Sequence, residues 1–247
     1  AGLMVCDDLD LLGRTYIAGA RIMQIQAPLY MYRVHSKNSF RLHQDKVHEL
    51  NRTISERYRL SLIKEWCRRE RYEMLDLGGA HGAQAGFTTL DLVGPADEIC
   101  DVLQGIKRET SSIGCVRAHD FLEHVPRCRD SSCDHSSGCS VFLMNEIHRV
   151  LVPGGWLLTA TPSSDGRGAF QDPTHVSFWN ANSFWYFSHP GYAKYVPGVK
   201  GLFNVEKIAD YFPSEFHKIH NIPYVVADLV ALKGQPCYRH WWPVGPA

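Results

Sequence analysis

The spacing of apolar residues changes character once along this chain, near residue 72. Before it, QDKVHELNRTISERYRLSLIKEWCRRER (44–71) sets Leu50, Ile54, Tyr58, Leu62 and Trp66 four apart, which predicts one amphipathic helix. That helix ends in Arg68, Arg69 and Arg71, where positive charge suits a helix C-terminus. After it, apolar residues come in short runs closed by Gly, Pro or Asp. YEMLDLGG (72–79), FTTLDL (87–92), GCVRAHDFLEH (114–124) and GGWLLTATP (154–162) predict strands. SVFLMNEIHRVL (140–151) predicts a helix between the last two. VEKIADYFP (205–213) and YVVADLVALKG (224–234) predict closing strands. Such alternation argues for an α/β, mostly parallel sheet with ligands at strand C-termini. Residues 1 to about 40 predict a short helix and then extended pieces, with IMQIQAPLYMYRVH (22–35) interrupted at Pro28.

Composition narrows the partners. At 247 residues the chain holds one α/β domain plus an accessory segment. Lys+Arg and Asp+Glu balance at 26 each, which argues against nucleic acid or acidic lipid as a partner. No apolar run approaches the roughly 20 residues that span a bilayer, and AGLMVCDDLDLLGR lacks the basic and apolar regions of a signal peptide. Scattered cysteines, among them Cys6, Cys67, Cys100, Cys115 and Cys237, fit reduced thiols in a cytoplasmic protein better than a disulfide framework. Self-association stays open.

Candidate chemistry begins at Asp76. LDLGGAHG places an acid at a strand end with Gly78 and Gly79 just after it, and glycine lets a backbone approach a ligand closely. Asp91 follows at the end of the next strand, where an acid can accept hydrogen bonds from ribose hydroxyls. A third acid, Asp101, lies in EICDVL. The glycines alone are equally compatible with an ordinary tight turn.

Two further segments follow in order, RAHDFLEHVP (117–126) and MNEIHRVLVPGGWLLTATP (144–162). With them, residues 72 to 234 resemble class I S-adenosylmethionine-dependent methyltransferases, in the branch with a short first loop, an "EHLP" strand end and an "E-hRVLkPGG" helix, turn and strand. FQDPTHVSFWNANSFWYF (170–187) is similar to the loop that follows in those proteins. The resemblance implies a Rossmann-like, mostly parallel sheet with a C-terminal antiparallel strand, preceded by an N-terminal accessory segment and helix. It implies S-adenosylmethionine as cofactor, with Asp76, Gly78 and Gly79 along its methionine part. Asp91 would hold the ribose, and Asp101 and Val102 would flank the adenine. His119 and Asp120 would face the sulfonium and the acceptor. The chain departs from the pattern at Ala80, where a glycine is usual, and in the short stretch from Gly78 to Thr88. A parallel crossover needs a dozen or more residues, so the first crossover helix is expected to be vestigial.

Deprotonating a hydroxyl acceptor is general-base work, for which His175, His124, Asp120 and Asp172 are the candidates. His124 is equally compatible with a structural histidine under the sheet, and Glu123 reads better as a salt-bridge or cap residue than as a base. Phe178, Trp179, Phe184, Trp185 and Tyr186 read mostly as core or lid. No metal site is assigned. The insert PRCRDSSCDHSSGC (126–139) offers Cys128, Cys133, His135 and Cys139, but its gaps of four and five residues do not match the common two-residue zinc knuckle. A divalent metal on carboxylates stays open.

Residues 7–40 resemble the tail of a family 2 glycosyltransferase, with Asp7, Asp8 and Asp10 matching its acidic cluster and PLYMYRVH its closing motif. This divides the chain into a tail-like segment (1–43), a linking helix (44–71) and a methyltransferase domain (72–247). By association it suggests a sugar or glycosylated small molecule as acceptor. Methyl transfer to nitrogen or carbon and a non-catalytic cofactor-binding or scaffold module are the alternatives.

Overall fold

The computed structural model describes residues 7–22, 44–126 and 138–234. Residues 23–35 of the extended pieces expected over 22–35, and most of the cysteine-rich insert, lie outside the described residues. The chain forms two compact units that part between Arg71 and Tyr72.

The first unit pairs α1 (Asp7–Ile17) with α2 (Gln44–Glu70). The buried side of α2 carries Val47, Ile54, Leu62, Ile63 and Cys67, while Leu50 and Trp66 of the expected stripe are half-buried. The difference is geometric. A row of residues four apart turns about 40° per step away from a fixed face, because a turn takes 3.6 residues. Gly13 of α1 lets the Tyr58 ring approach, since a Cβ there would lie 3.3 Å from Tyr58 Cδ2. Tyr58 Oη donates to Asp10 Oδ1 at 2.7 Å, and Arg14 pairs with Asp10 at 2.8 Å. Arg69 donates to the carbonyls of Tyr16 and Ala20 at 2.9 and 2.8 Å, satisfying acceptors that a helix end leaves open. Asp10, one of the three acids of the glycosyltransferase-like motif, is thus held within this helix pair.

The second unit contains a seven-stranded sheet in the order β3-β2-β1-β4-β5-β7-β6. The strands are β1 (Glu73–Leu77), β2 (Thr88–Asp91), β3 (Glu98–Ile99), β4 (Ile113–His119), β5 (Leu151–Pro162), β6 (Leu202–Tyr211) and β7 (Tyr224–Leu232). The pairs from β3 through β5 are parallel, and β7 runs antiparallel to both β5 and β6. This is the Rossmann-like, mostly parallel sheet with a late antiparallel strand that the sequence implies. β3 was not among the expected strands, since two residues are too few to show a period. α3 (Cys139–Val150) buries Leu143, Met144, Ile147 and Val150 in the core with Leu75, Leu77, Val116 and Leu157 of the sheet.

Between β1 and β2 there is only a single 3-10 turn, Gly79–His81. The vestigial crossover is therefore what the fold contains. Among the described residues, no helix is long and apolar enough to cross a membrane.

Candidate active site

Strand directions bring one set of ends together. The C-termini of β1, β2, β4 and β5 share an edge, and register places Pro162 beside Tyr224 and Tyr224 beside Tyr211 on it. Strand order reverses between β1 and β4, where open α/β sheets hold their ligands.

On the β1–β2 side, the strand-end acids tie down the short loop. Asp76 is fully buried and accepts the Gln84 N–H at 2.9 Å. Asp91 accepts the Ala80 N–H on Oδ2 at 3.1 Å and the Val93 N–H on Oδ1 at 3.3 Å. Carboxylates thereby take donors that a crossover helix would otherwise satisfy. Gly78 has φ +73°, and a Cβ there would meet Phe121 Cδ2 at 2.6 Å. A Cβ on Gly79 would meet Thr89 Cγ2 at 2.9 Å and Asp76 Cγ at 3.1 Å. Glycine is required at both positions by the protein's own packing. Asp101 caps the 3-10 turn Val102–Gln104, accepting the Leu103 N–H at 3.0 Å, and Val102 is part of the hydrophobic core.

Arg117 is the residue here that sequence reasoning missed. Register sets it opposite Asp76, and its Nη1 lies 2.9 and 2.8 Å from the two Asp76 oxygens. Its Nη2 donates to His119 Nδ1 at 3.1 Å. Burial, reinforced by the Arg117 charge, pushes His119 down to about 4, so the imidazole is neutral over the physiological range. A lone Arg within the apolar run GCVRAH was the available signal.

On the β4–β5–β7 side lies a cleft of about 220 Å³, bounded by Asp120, Glu123, His124, Asp172, His175 and Tyr224 among others. All three expected catalytic residues, Asp120, His124 and His175, meet in it. Asp120 is exposed, in a positive-φ conformation at 47°. His124 is exposed, and its Nδ1 bonds the Thr174 carbonyl at 3.2 Å. The His175 side chain is almost covered, and its Nδ1 bonds the Ala169 carbonyl at 3.1 Å. The two rings meet edge to face with centroids 5.0 Å apart. Asp172 accepts from Thr174 N–H and Oγ1 at 2.8 and 2.6 Å, bonds that hold its carboxyl below the usual range.

Among the described residues Glu123 makes no salt bridge and its side chain caps no helix. It is 1% exposed, and its Oε2 accepts from Thr161 Oγ1 at 2.6 Å. Burial raises its carboxyl above the ordinary range. Its carbonyl accepts the N–H groups of Val176 and Ser177 at 2.8 and 3.0 Å, and Ser177 Oγ and Trp179 Nε1 both donate to Leu122 O. These bonds fasten the His175 loop to the end of β4. Tyr224 was also missed. Burial, with the Asp120 carboxylate nearby, holds its hydroxyl well above the usual tyrosine range. Only β7 running antiparallel brings Tyr224 to this edge. Of the expected core or lid aromatics, Trp179 and Phe184 are buried, while Phe178, Trp185 and Tyr186 are partly exposed.

No family model and no curated protein matches the chain. Solved structures do. An S-adenosylmethionine-dependent methyltransferase from Mesorhizobium loti is 13% identical, over 68% of this chain and 97% of that one, with a TM-score of 0.40. A phosphoethanolamine N-methyltransferase from Haemonchus contortus is 16% identical, over 66% of this chain and 49% of that one, with a TM-score of 0.41. The N-methyltransferase NodS from Bradyrhizobium japonicum is 12% identical, over 69% and 88%, with a TM-score of 0.43. Since all three scores lie below 0.5, the fold assignment rests on strand order and direction.

Proposed function

We propose that the chain is an S-adenosylmethionine-dependent methyltransferase acting on a hydroxyl of a sugar or glycosylated small molecule. The observation that carries the reading is the shared sheet edge. The carboxylate of Asp91 and the polar cleft of Asp120, His124 and His175 flank the reversal between β1 and β4.

The residues present fit the donor. Each Asp91 oxygen spends one acceptor site on a loop N–H, which leaves lone pairs for two ribose hydroxyls. The glycine turn keeps side chains off the methionine path, with Asp101 and Val102 toward the adenine. His119, kept neutral by its burial and by Arg117, places no positive charge beside a sulfonium. Bound S-adenosylmethionine supplies an electrophilic methyl on positively charged sulfur. The chain's own work is to position the acceptor oxygen in line with that methyl and to take its proton. His175 is the proposed base. Its Nδ1 is fixed by Ala169, which directs Nε2 to the acceptor side. His124 and Asp120 hold neighbouring hydroxyls. The small volume and polar walls suit a compact hydroxylated acceptor.

Calorimetric titration with S-adenosylmethionine and S-adenosylhomocysteine tests the donor. Binding should appear in the micromolar range, Asp91→Ala should abolish it, and no heat at millimolar ligand refutes the proposal. His175→Ala should keep binding and lose turnover; retained turnover removes His175 as the base. A second reading, a non-catalytic cofactor-binding or scaffold module, is favoured by one observation: both Asp76 and Asp91 already hold loop amides. Cofactor binding without turnover on any hydroxylated acceptor would favour it.

A further inference from the structure

We propose that Glu123, His124 and His175 form a site for one divalent transition-metal ion in the wall of this cleft. Each residue offers one ligand atom, and the three atoms lie within 4.8 Å of one another. Zinc bonds of about 2.0–2.1 Å would set tetrahedral ligand atoms about 3.4 Å apart. Small side-chain shifts within the cluster would close that difference.

Three features separate this cluster from a chance meeting of side chains. First, Glu123 is 1% exposed, and its Oε1 has no hydrogen-bond partner although its Oε2 is bonded to Thr161. A buried unpaired carboxyl oxygen is costly, and a cation is the partner that would satisfy it. Second, both imidazoles are oriented as metal-ligating histidines usually are. Nδ1 of each bonds a backbone carbonyl, of Thr174 for His124 and of Ala169 for His175, which makes Nε2 the ligating side. Asp172 Oδ2 is 4.0 Å from His175 Nε2, beyond hydrogen-bond reach. Third, the ligand-bearing segments are joined through the main chain. The Glu123 carbonyl accepts the Val176 and Ser177 N–H groups, so His175 is held in place by backbone rather than by a loose side chain.

Ligand chemistry narrows the ion. Two imidazoles and one carboxylate favour zinc, cobalt, manganese or iron over magnesium or calcium, which prefer oxygen ligands throughout. Three protein ligands leave a coordination position open, as in catalytic zinc sites. Asp120 and Tyr224 line the same cleft, so an acceptor hydroxyl entering it would meet that position. This last role, a Lewis acid for the acceptor oxygen, rests on the methyl-transfer reading and takes the place of His175 as base, because an Nε2 bound to the ion cannot accept a proton; the ion site does not rest on that reading.

The test uses the whole chain, stripped with chelator and titrated with zinc and with cobalt(II). One equivalent of zinc should bind at micromolar affinity or tighter, and cobalt should give visible ligand-field bands. His124→Ala and His175→Ala should each weaken zinc at least a hundredfold. Glu123→Gln, which keeps shape, should weaken it at least tenfold with unchanged circular dichroism. A Cys128→Ser, Cys133→Ser, His135→Ala variant should leave binding intact. No saturable zinc or cobalt binding overturns the proposal. So does loss of zinc in the cysteine variant with retention in the Glu123, His124 and His175 variants. S-adenosylmethionine titration, run separately, distinguishes the readings. Zinc binding without cofactor binding sinks the methyl-transfer role and leaves the ion site standing; cofactor binding without zinc does the reverse.

Discussion

The two sides of the sheet edge use similar residues in opposite ways. On the β1–β2 side every strand-end acid already has a protein partner. Asp76 holds Arg117 and the Gln84 amide, Asp91 holds two loop amides, and Asp101, past the end of β3, holds the Leu103 amide. On the β4–β5–β7 side polar atoms stay uncommitted: Glu123 Oε1 is orphaned, and His124 and Asp120 are exposed. An acid at a strand end can therefore be a fold staple that substitutes for a missing helix. Uncommitted atoms, held in place by bonds made through other atoms of the same residues, are the sharper mark of chemistry.

The contrast breaks most sharply at Arg117. Replacing it by Met leaves the fully buried Asp76 carboxylate without its charge partner. The expected cost is about 3–5 kcal/mol, read from urea unfolding. Adding Asp76→Asn should recover part of that loss, because a neutral amide needs no counter-charge. A cost below about 1 kcal/mol for Arg117→Met would mean that the β1–β2 side is not stapled in this way.

The same network sets a pH dependence. His119 titrates near 4 in the folded chain, against 6.5 for an ordinary imidazole. The unfolded chain therefore binds the proton more readily below 6.5. Stability contributed by neutral His119 is fully present above pH 6.5 and is lost as pH falls toward 4, by roughly 2–3 kcal/mol. His119→Asn should flatten that limb of the stability profile, and an unchanged limb would take His119 out of the explanation.

Gly78→Ala comes next. The substitution puts a side chain at φ +73° and a Cβ 2.6 Å from the Phe121 ring. Strain and overlap together should cost about 1–3 kcal/mol. Phe121→Ala in the same chain should relieve the overlap but not the backbone strain, so thermal unfolding of the single and double variants should separate the two.

Much of this was legible in the sequence. The strand runs, the helix before β5 and the meeting of Asp120, His124 and His175 at one edge follow from apolar spacing and motif order. Besides Tyr224, which only the antiparallel β7 brings to the edge, three things were not, each for a physical reason. β3 is two residues long and carries no period. Arg117 reads as an anomaly in an apolar strand until register sets Asp76 beside it. Glu123 reads in the sequence as a salt-bridge or cap residue, whereas the 3-10 turn Leu122–His124 buries it against Thr161 of β5. Spacing rules resolve which face a residue takes in a helix or strand, and they fail in a three-residue turn.

The smallest stability effect should accompany a large functional one. His124 is exposed, and among the described residues it is bonded only through Nδ1, at 3.2 Å to Thr174. Its replacement by Ala should change unfolding free energy by no more than about 0.5 kcal/mol, while metal affinity and turnover fall together. Asp91→Asn supplies the counterpart on the other side of the edge. It keeps an acceptor oxygen for one loop amide and presents an amide donor to the other, so stability should fall by about 1 kcal/mol. If His124→Ala proves the more destabilising of the two, the assignment of staple to one side and chemistry to the other is inverted. If it proves nearly neutral and inactive, the uncommitted atoms are where the function lies.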